Sequence, residues 1–166
     1  MYNISSFPHT YIKKEGQIMS KQDVSQDTIE LLKECDAGCK MAIDSMEQIG
    51  KYVSDDQMKT VIQKYNGAHI KMEEDIHRML NNLGEEGQGP NPIAKASSWI
   101  QSEVKMMMNC DTKQAAHLLT DGCNMGVKSL CEYKNQYKAA DEKSVAMCEK
   151  LCDLEMKMTY DLQKFL

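Results

Sequence analysis

The sequence predicts an all-α protein, a four-helix bundle made of two repeated antiparallel helical hairpins joined by a crossover containing a short helix. Three observations point there. Only 3 prolines and 9 glycines interrupt the 166 residues, which leaves room for long helices. Apolar residues recur at spacings of three and four through four long stretches, the period of a helix with one buried face. The second half of the chain also repeats motifs of the first, so each hairpin has a counterpart. The 2 phenylalanines and the scarcity of Ile/Val pairs argue against extensive sheet, while 14 methionines suit helices with irregular cores to fill.

Residues 1–18 show no helical period and no signal-peptide layout, and residues 1–23 are expected to be a disordered tail or a misassigned start. The Lys-Glu-Gly run ahead of Met19 matches the codons of a bacterial ribosome-binding site, which makes Met19 the expected native start. The bundle then occupies residues 24–166. Ser25 is placed as the first N-cap, with Val24 and Ile29 as a hydrophobic staple. Ile29, Leu32, Asp36, Cys39, Ile43, Met46 and Gly50 form the buried stripe of the first helix, to about Tyr52. The "SDDQ" at Ser54–Gln57 has the form of a capping box and starts the second helix. That helix turns Met58, Val61, Tyr65, His69, Met72, Ile76, Met79 and Leu83 inward, and Gly84 caps its end ahead of a Gly/Pro loop.

Ile93, Ala96, Ile100, Val104 and Met107 share one face and predict the short connecting helix. Asp111 is placed to cap the third main helix, whose stripe runs Ala115, Leu119, Cys123, Gly126, Leu130, Tyr133 and Tyr137. The fourth carries Val145, Cys148, Leu151, Cys152, Glu155, Met158, Leu162 and Phe165. Each main helix would hold about 24–29 residues and span about 36–43 Å. Short turns within each half make its two helices antiparallel neighbours.

The repeat singles out the first candidate site. "GCKMAIDSM" (38–46) returns as "GCNMGVKSL" (122–130), and "HIKMEEDIHRML" (69–80) returns as "EMKMTYDLQKFL" (155–166). Cys39 therefore matches Cys123, and His69 matches Glu155, all on inward stripes. An approximate two-fold would bring the four together, and two thiolates, an imidazole and a carboxylate suit zinc or iron. The same residues also fit a metal-free core, with the thiols packed as small apolar groups and His69 bonded to Glu155. Asp36, Glu73 and Cys152 are secondary metal candidates. Cys35/Cys39 and Cys148/Cys152 stand four apart on helices, with Cys123 and Cys131 on the third, and such thiol pairs would suit Cu(I). A transition metal, Fe, Zn or Cu, is the cofactor these donors would take.

Composition excludes other classes. With 20 basic and 25 acidic residues the net charge is -5, which leaves no basic excess for nucleic acid or an anionic membrane. Seven cysteines, an odd number with no export signal ahead of them, suggest reduced thiols in a cytoplasm. No apolar run reaches the ~18 residues of a membrane span. There is no phosphate-cradling loop, no nucleophile elbow and no H-E-x-x-H, so the reading leans to a non-enzymatic protein. A homodimer is left open.

The two hairpins, the Gly-led motif in the first and third helices and the Trp-bearing "SSWIQSEVKMMM" resemble small bacterial four-helix domains of unknown function in the ferritin-like superfamily. The resemblance covers residues 25–166. It implies a di-metal centre built from a Glu on each of two helices and a Glu-x-x-His on each of the others. This chain departs from that pattern: the first helix offers Asp36 and Cys39, the third Cys123 and Gly126, and the fourth Glu149-x-x-Cys152 and Glu155-x-x-Met158. The literal Glu-x-x-His, Glu74 to His77, lies off the buried stripe, and His77 and His117 are expected at helix surfaces. The resemblance then implies an eroded di-metal site and a stress-related or dimerising binding module.

Overall fold

The computed structural model describes residues 25–87 and 111–166. The expected N-terminal tail, the Met19 start, the Val24 staple and the connecting helix lie outside them. Four main helices form where short polar side chains can take up the first free N–H groups. These are α1 (Gln26–Gly50), α2 (Asp56–Asn82), α3 (Thr112–Gln136) and α4 (Glu142–Leu162), the last followed by a 3-10 turn at Gln163–Phe165. Ser25 accepts from the N–H of Asp27 at 3.2 Å, Asp111 from Gln114 at 2.7 Å and Asp141 from Ser144 at 2.7 Å. The cap of α2 is Asp55 and not Ser54: the Asp55 carboxylate accepts from the N–H of Met58 at 2.8 Å, and its charge also suits a helix N-terminus. Gly84 ends α2 as expected. Its φ of 72° lets Glu85 donate back to the Leu80 carbonyl at 3.0 Å, closing a Schellman turn.

Among the described residues there is no strand, and α1 packs against each of the other three helices. The α3–α4 turn docks on the start of α1, where Ala139 donates to Asp27 Oδ2 at 2.8 Å and Asp141 donates to Thr28 Oγ1 at 2.9 Å. The α1–α2 turn is at the other end, where Lys164 beyond α4 reaches Gln57 at 3.4 Å. So α1 and α4 run one way, α2 and α3 the other. No described helix is long and apolar enough to cross a membrane.

Two apolar clusters share the interior. One, toward the α1–α2 turn, gathers Met46, Ile49, Met58, Ile62, Tyr65, Leu119, Cys123, Met158 and Leu162. The other, toward the α3–α4 turn, gathers Leu31, Leu32, Cys35, Cys39, Ile76, Leu80, Leu130, Cys148 and Leu151. On α2 the first ends at Tyr65 and the second begins at Ile76, with buried His69 between them. Glu155 fills the matching gap on α4 between Leu151 and Met158. His69 and Glu155 thus form a polar band at mid-bundle, while the buried Thr28 and Ser144 lie by the α3–α4 turn.

Candidate metal centre

His69 and Glu155 meet in this band. Nε2 of His69 lies 3.1 Å from Oε1 of Glu155, with side-chain exposures of 0% and 8%. The other ring nitrogen, Nδ1, is 2.8 Å from the Tyr65 carbonyl oxygen one turn back. A carbonyl only accepts, so Nδ1 carries a proton and donates it there. A second proton must then bridge Nε2 and the carboxyl oxygen. Both polar groups are satisfied without a metal.

The thiols expected beside this pair stay protonated. Burial first, then the Glu155 carboxylate, pushes Cys123 well above the ordinary thiol range. Burial, followed by Glu155 and Asp36, does the same to Cys39. Cys39, His69, Cys123 and Glu155 do not, as they stand, bring three donor atoms within 4.8 Å of one another; among the described residues only Asp36, Glu73 and His77 do so.

That second cluster grows from two helical i, i+4 pairs facing each other across the α1–α2 hairpin. Asp36 and Lys40 stand on α1, Glu73 and His77 on α2. His77 Nε2 is 3.0 Å from Asp36 Oδ1 and 3.9 Å from Glu73 Oε1. The Lys40 ammonium lies among them, 2.7 Å from Asp36 Oδ2, 3.3 Å from His77 Nε2 and 4.0 Å from Glu73 Oε1. The Lys40 contact calls for a lone pair on Nε2 and the Asp36 contact for an N–H, so the tautomer of His77 decides which of the two is a hydrogen bond. Asp36, Glu73 and His77 thus gather around the Lys40 ammonium. Asp36 is fully buried, and its Oδ1 has no hydrogen-bond donor directed at it. His77, 41% exposed, closes the outer side.

The chain after α2 lies over the cluster. Lys33 pairs with Glu85 at 3.2 Å and holds this segment to α1. A Cβ on Gly87 would come within 2.5 Å of His77 Nε2 and 2.7 Å of Asp36 Oδ2, so any larger residue there must displace the His77 ring or the Asp36 carboxylate. Glu74 is exposed and takes no part, in keeping with its place off the buried stripe. His77 was expected to be an unremarkable surface residue, yet it is the imidazole of this group. Its partner on α2 is Glu73, four residues back, and not Glu74. Of the secondary candidates, Asp36 and Glu73 meet here, while Cys152, on α4, takes no part in the group.

A di-metal centre of the ferritin type does not fit these residues. Its third helix would need a carboxylate, where this chain has Cys123 and Gly126, and the fourth-helix Glu155 is taken up by His69. No family model matches the chain, and no curated protein matches it.

Proposed function

We propose that this is a metal-binding four-helix protein of the ferritin-like type, with a single-ion site at Asp36, Glu73 and His77 in place of the eroded di-metal centre. The observation that carries the reading is the fully buried Asp36 carboxylate, whose Oδ1 lacks a donor and faces an imidazole nitrogen and a second carboxylate. A buried carboxylate oxygen without a partner is costly, and a cation is the natural means of satisfying it. Two carboxylates and one imidazole suit a divalent first-row ion such as Zn(II), Fe(II) or Mn(II), with a position left open for water. Lys40 holds the place of the ion in its absence and swings toward solvent when one binds; its side chain is already 24% exposed.

The position of Lys40 favours a second reading, in which the ammonium is a permanent built-in cation and the cluster only ties α1 to α2. Titration of chelator-stripped full-length protein with Zn(II), Mn(II) and anaerobic Fe(II) separates the two. The metal reading expects binding by wild type, about tenfold or more weaker binding by Asp36→Asn, and tighter binding by Lys40→Met, which has lost the competing charge. If neither wild type nor Lys40→Met takes up an ion, the built-in cation is correct.

A further inference from the structure

The repeat that matched Cys39 with Cys123 also builds a wall that the metal reading leaves unused. Gly38, Ala42 and Ser45 of the first copy lie along α1, and their counterparts Gly122, Gly126 and Ser129 lie along α3. All six line one cavity of about 430 Å³ between these antiparallel helices, with α4 and its Glu155 at the base. Glycine inside a helix is unfavourable in itself. Close packing does not demand it here: a Cβ on Gly122 would meet nothing within 4 Å, and one on Gly38 only Leu151 at 3.8 Å. The small residues therefore hold a slot open between the two helices. At Gly126 a Cβ would sit 3.5 Å from the Glu155 carboxyl group, so that carboxylate borders the slot.

We propose that this slot binds a flat molecule of a few fused aromatic rings carrying one O–H or N–H donor. Mostly apolar clefts between bundle helices, with few polar groups, are usual places for small ligands. Size sets the number of rings: a cavity of about 150 Å³ accepts benzene, and this one is roughly three times larger. The walls favour aromatic rings, because Met41, Met46, Met125 and Met158 line the slot and thioethers make favourable contacts with ring edges. Glu155 selects the donor. It is 6% exposed, and Oε1 takes the His69 contact at 3.1 Å, which leaves Oε2 to accept from the ligand. Charge excludes an anion. The described lining residues include Glu34 and Glu155 but no Lys, Arg or His, so a buried carboxylate would find no counter-charge.

Asp36, Glu73 and His77 do not line the slot, so the test runs on chelator-stripped full-length protein. Calorimetric titration with 2-naphthol should show saturable binding of one molecule per chain. 2-Methoxynaphthalene keeps the rings and loses the donor, and should bind about tenfold more weakly, as loss of a hydrogen bond to a charged acceptor implies. 2-Naphthoate, an anion, should bind more weakly still. Gly122→Leu fills the slot where a Cβ meets no neighbour, and should abolish binding while leaving the melting temperature unchanged or higher. Gly67→Leu, at an exposed position on α2 outside the slot, should bind as wild type does. In Glu155→Gln the amide oxygen stays with His69 and the NH2 turns to the slot, so the preference for 2-naphthol over its methyl ether should fall to about one. The proposal is overturned if wild type shows no saturable binding of 2-naphthol, or binds the methyl ether or the naphthoate equally well. It is also overturned if folded Gly122→Leu binds 2-naphthol as wild type does.

Discussion

Replacing Glu155 by leucine should be among the most damaging single changes in the bundle. His69 is fully buried and Glu155 nearly so, and they share one hydrogen bond of 3.1 Å. With leucine at 155, Nε2 of His69 loses its partner while Nδ1 remains tied to the Tyr65 carbonyl, so the ring cannot turn to find another. Breaking one side of a buried pair costs about 3–5 kcal/mol when charge is stranded and about 1–3 kcal/mol when a neutral group is orphaned. For a chain of this size, each kcal/mol lowers Tm by about 2–4 °C. His69→Leu alone should cost a similar amount by stranding Glu155. The double change removes both polar groups and fills the gap between the two apolar clusters, so it should recover most of the loss. Urea unfolding followed by circular dichroism measures all four corners of the cycle. Additive single costs, or a Glu155→Leu cost under about 1 kcal/mol, would refute the reasoning.

Three further outcomes follow from the same geometry. Gly87→Ala should lower stability by about 1–3 kcal/mol in thermal melts and weaken divalent-ion binding, because its methyl group intrudes between His77 and Asp36. Asp55→Ala should cost about 0.5–2 kcal/mol in the same melts, and Ser54→Ala much less, since Asp55 caps α2. Alkaline pH should destabilise the fold: Cys39 keeps its proton when folded, by burial and by Glu155, whereas an unfolded thiol releases it at about pH 8.5. The folded thiol's raised pKa contributes stability that is whole below that value and fades as pH rises, by about 1.4 kcal/mol per pH unit. Between pH 7.5 and 10 the urea midpoint of Cys39→Ala should therefore fall less than that of wild type; equal slopes would remove Cys39 from the explanation.

Much of the fold was legible because it depends on local rules. Stripes at spacings of three and four, Ser25 and Asp111 as caps and Gly84 as a left-handed stop all act within a few residues. The caps and the stop stand where the pattern put them, while the first-helix stripe is displaced in part, with Leu31, Cys35 and Ile49 buried and Ile29, Ile43 and Gly50 only half-buried. The Ser54 reading erred by one residue: the helix starts one position later, where the Asp55 carboxylate accepts from the N–H of Met58 instead of Ser54 from that of Gln57. The His69–Glu155 contact was legible through the repeat, which set two mismatched polar residues at corresponding inward places. The Asp36 cluster was only half legible. Asp36 and Glu73 were marked singly, but their meeting depends on the register between α1 and α2, which no single-helix stripe reveals. His77 was set aside because its apparent partner was Glu74, three residues back; the i, i+4 pair Glu73/His77 facing Asp36/Lys40 was the available signal. Nothing in the sequence marked Gly87, whose importance lies in how closely its backbone approaches the side chains beneath it.

The most direct test is an anomalous-difference map from crystals of the full chain grown with Zn(II) or Mn(II). The metal reading predicts one peak about 2.0–2.2 Å from His77 Nε2 and from carboxylate oxygens of Asp36 and Glu73, with the Lys40 ammonium displaced toward solvent. A map with Lys40 still seated between Asp36 and His77 and no peak there, or a peak at His69 and Glu155 instead, would contradict it.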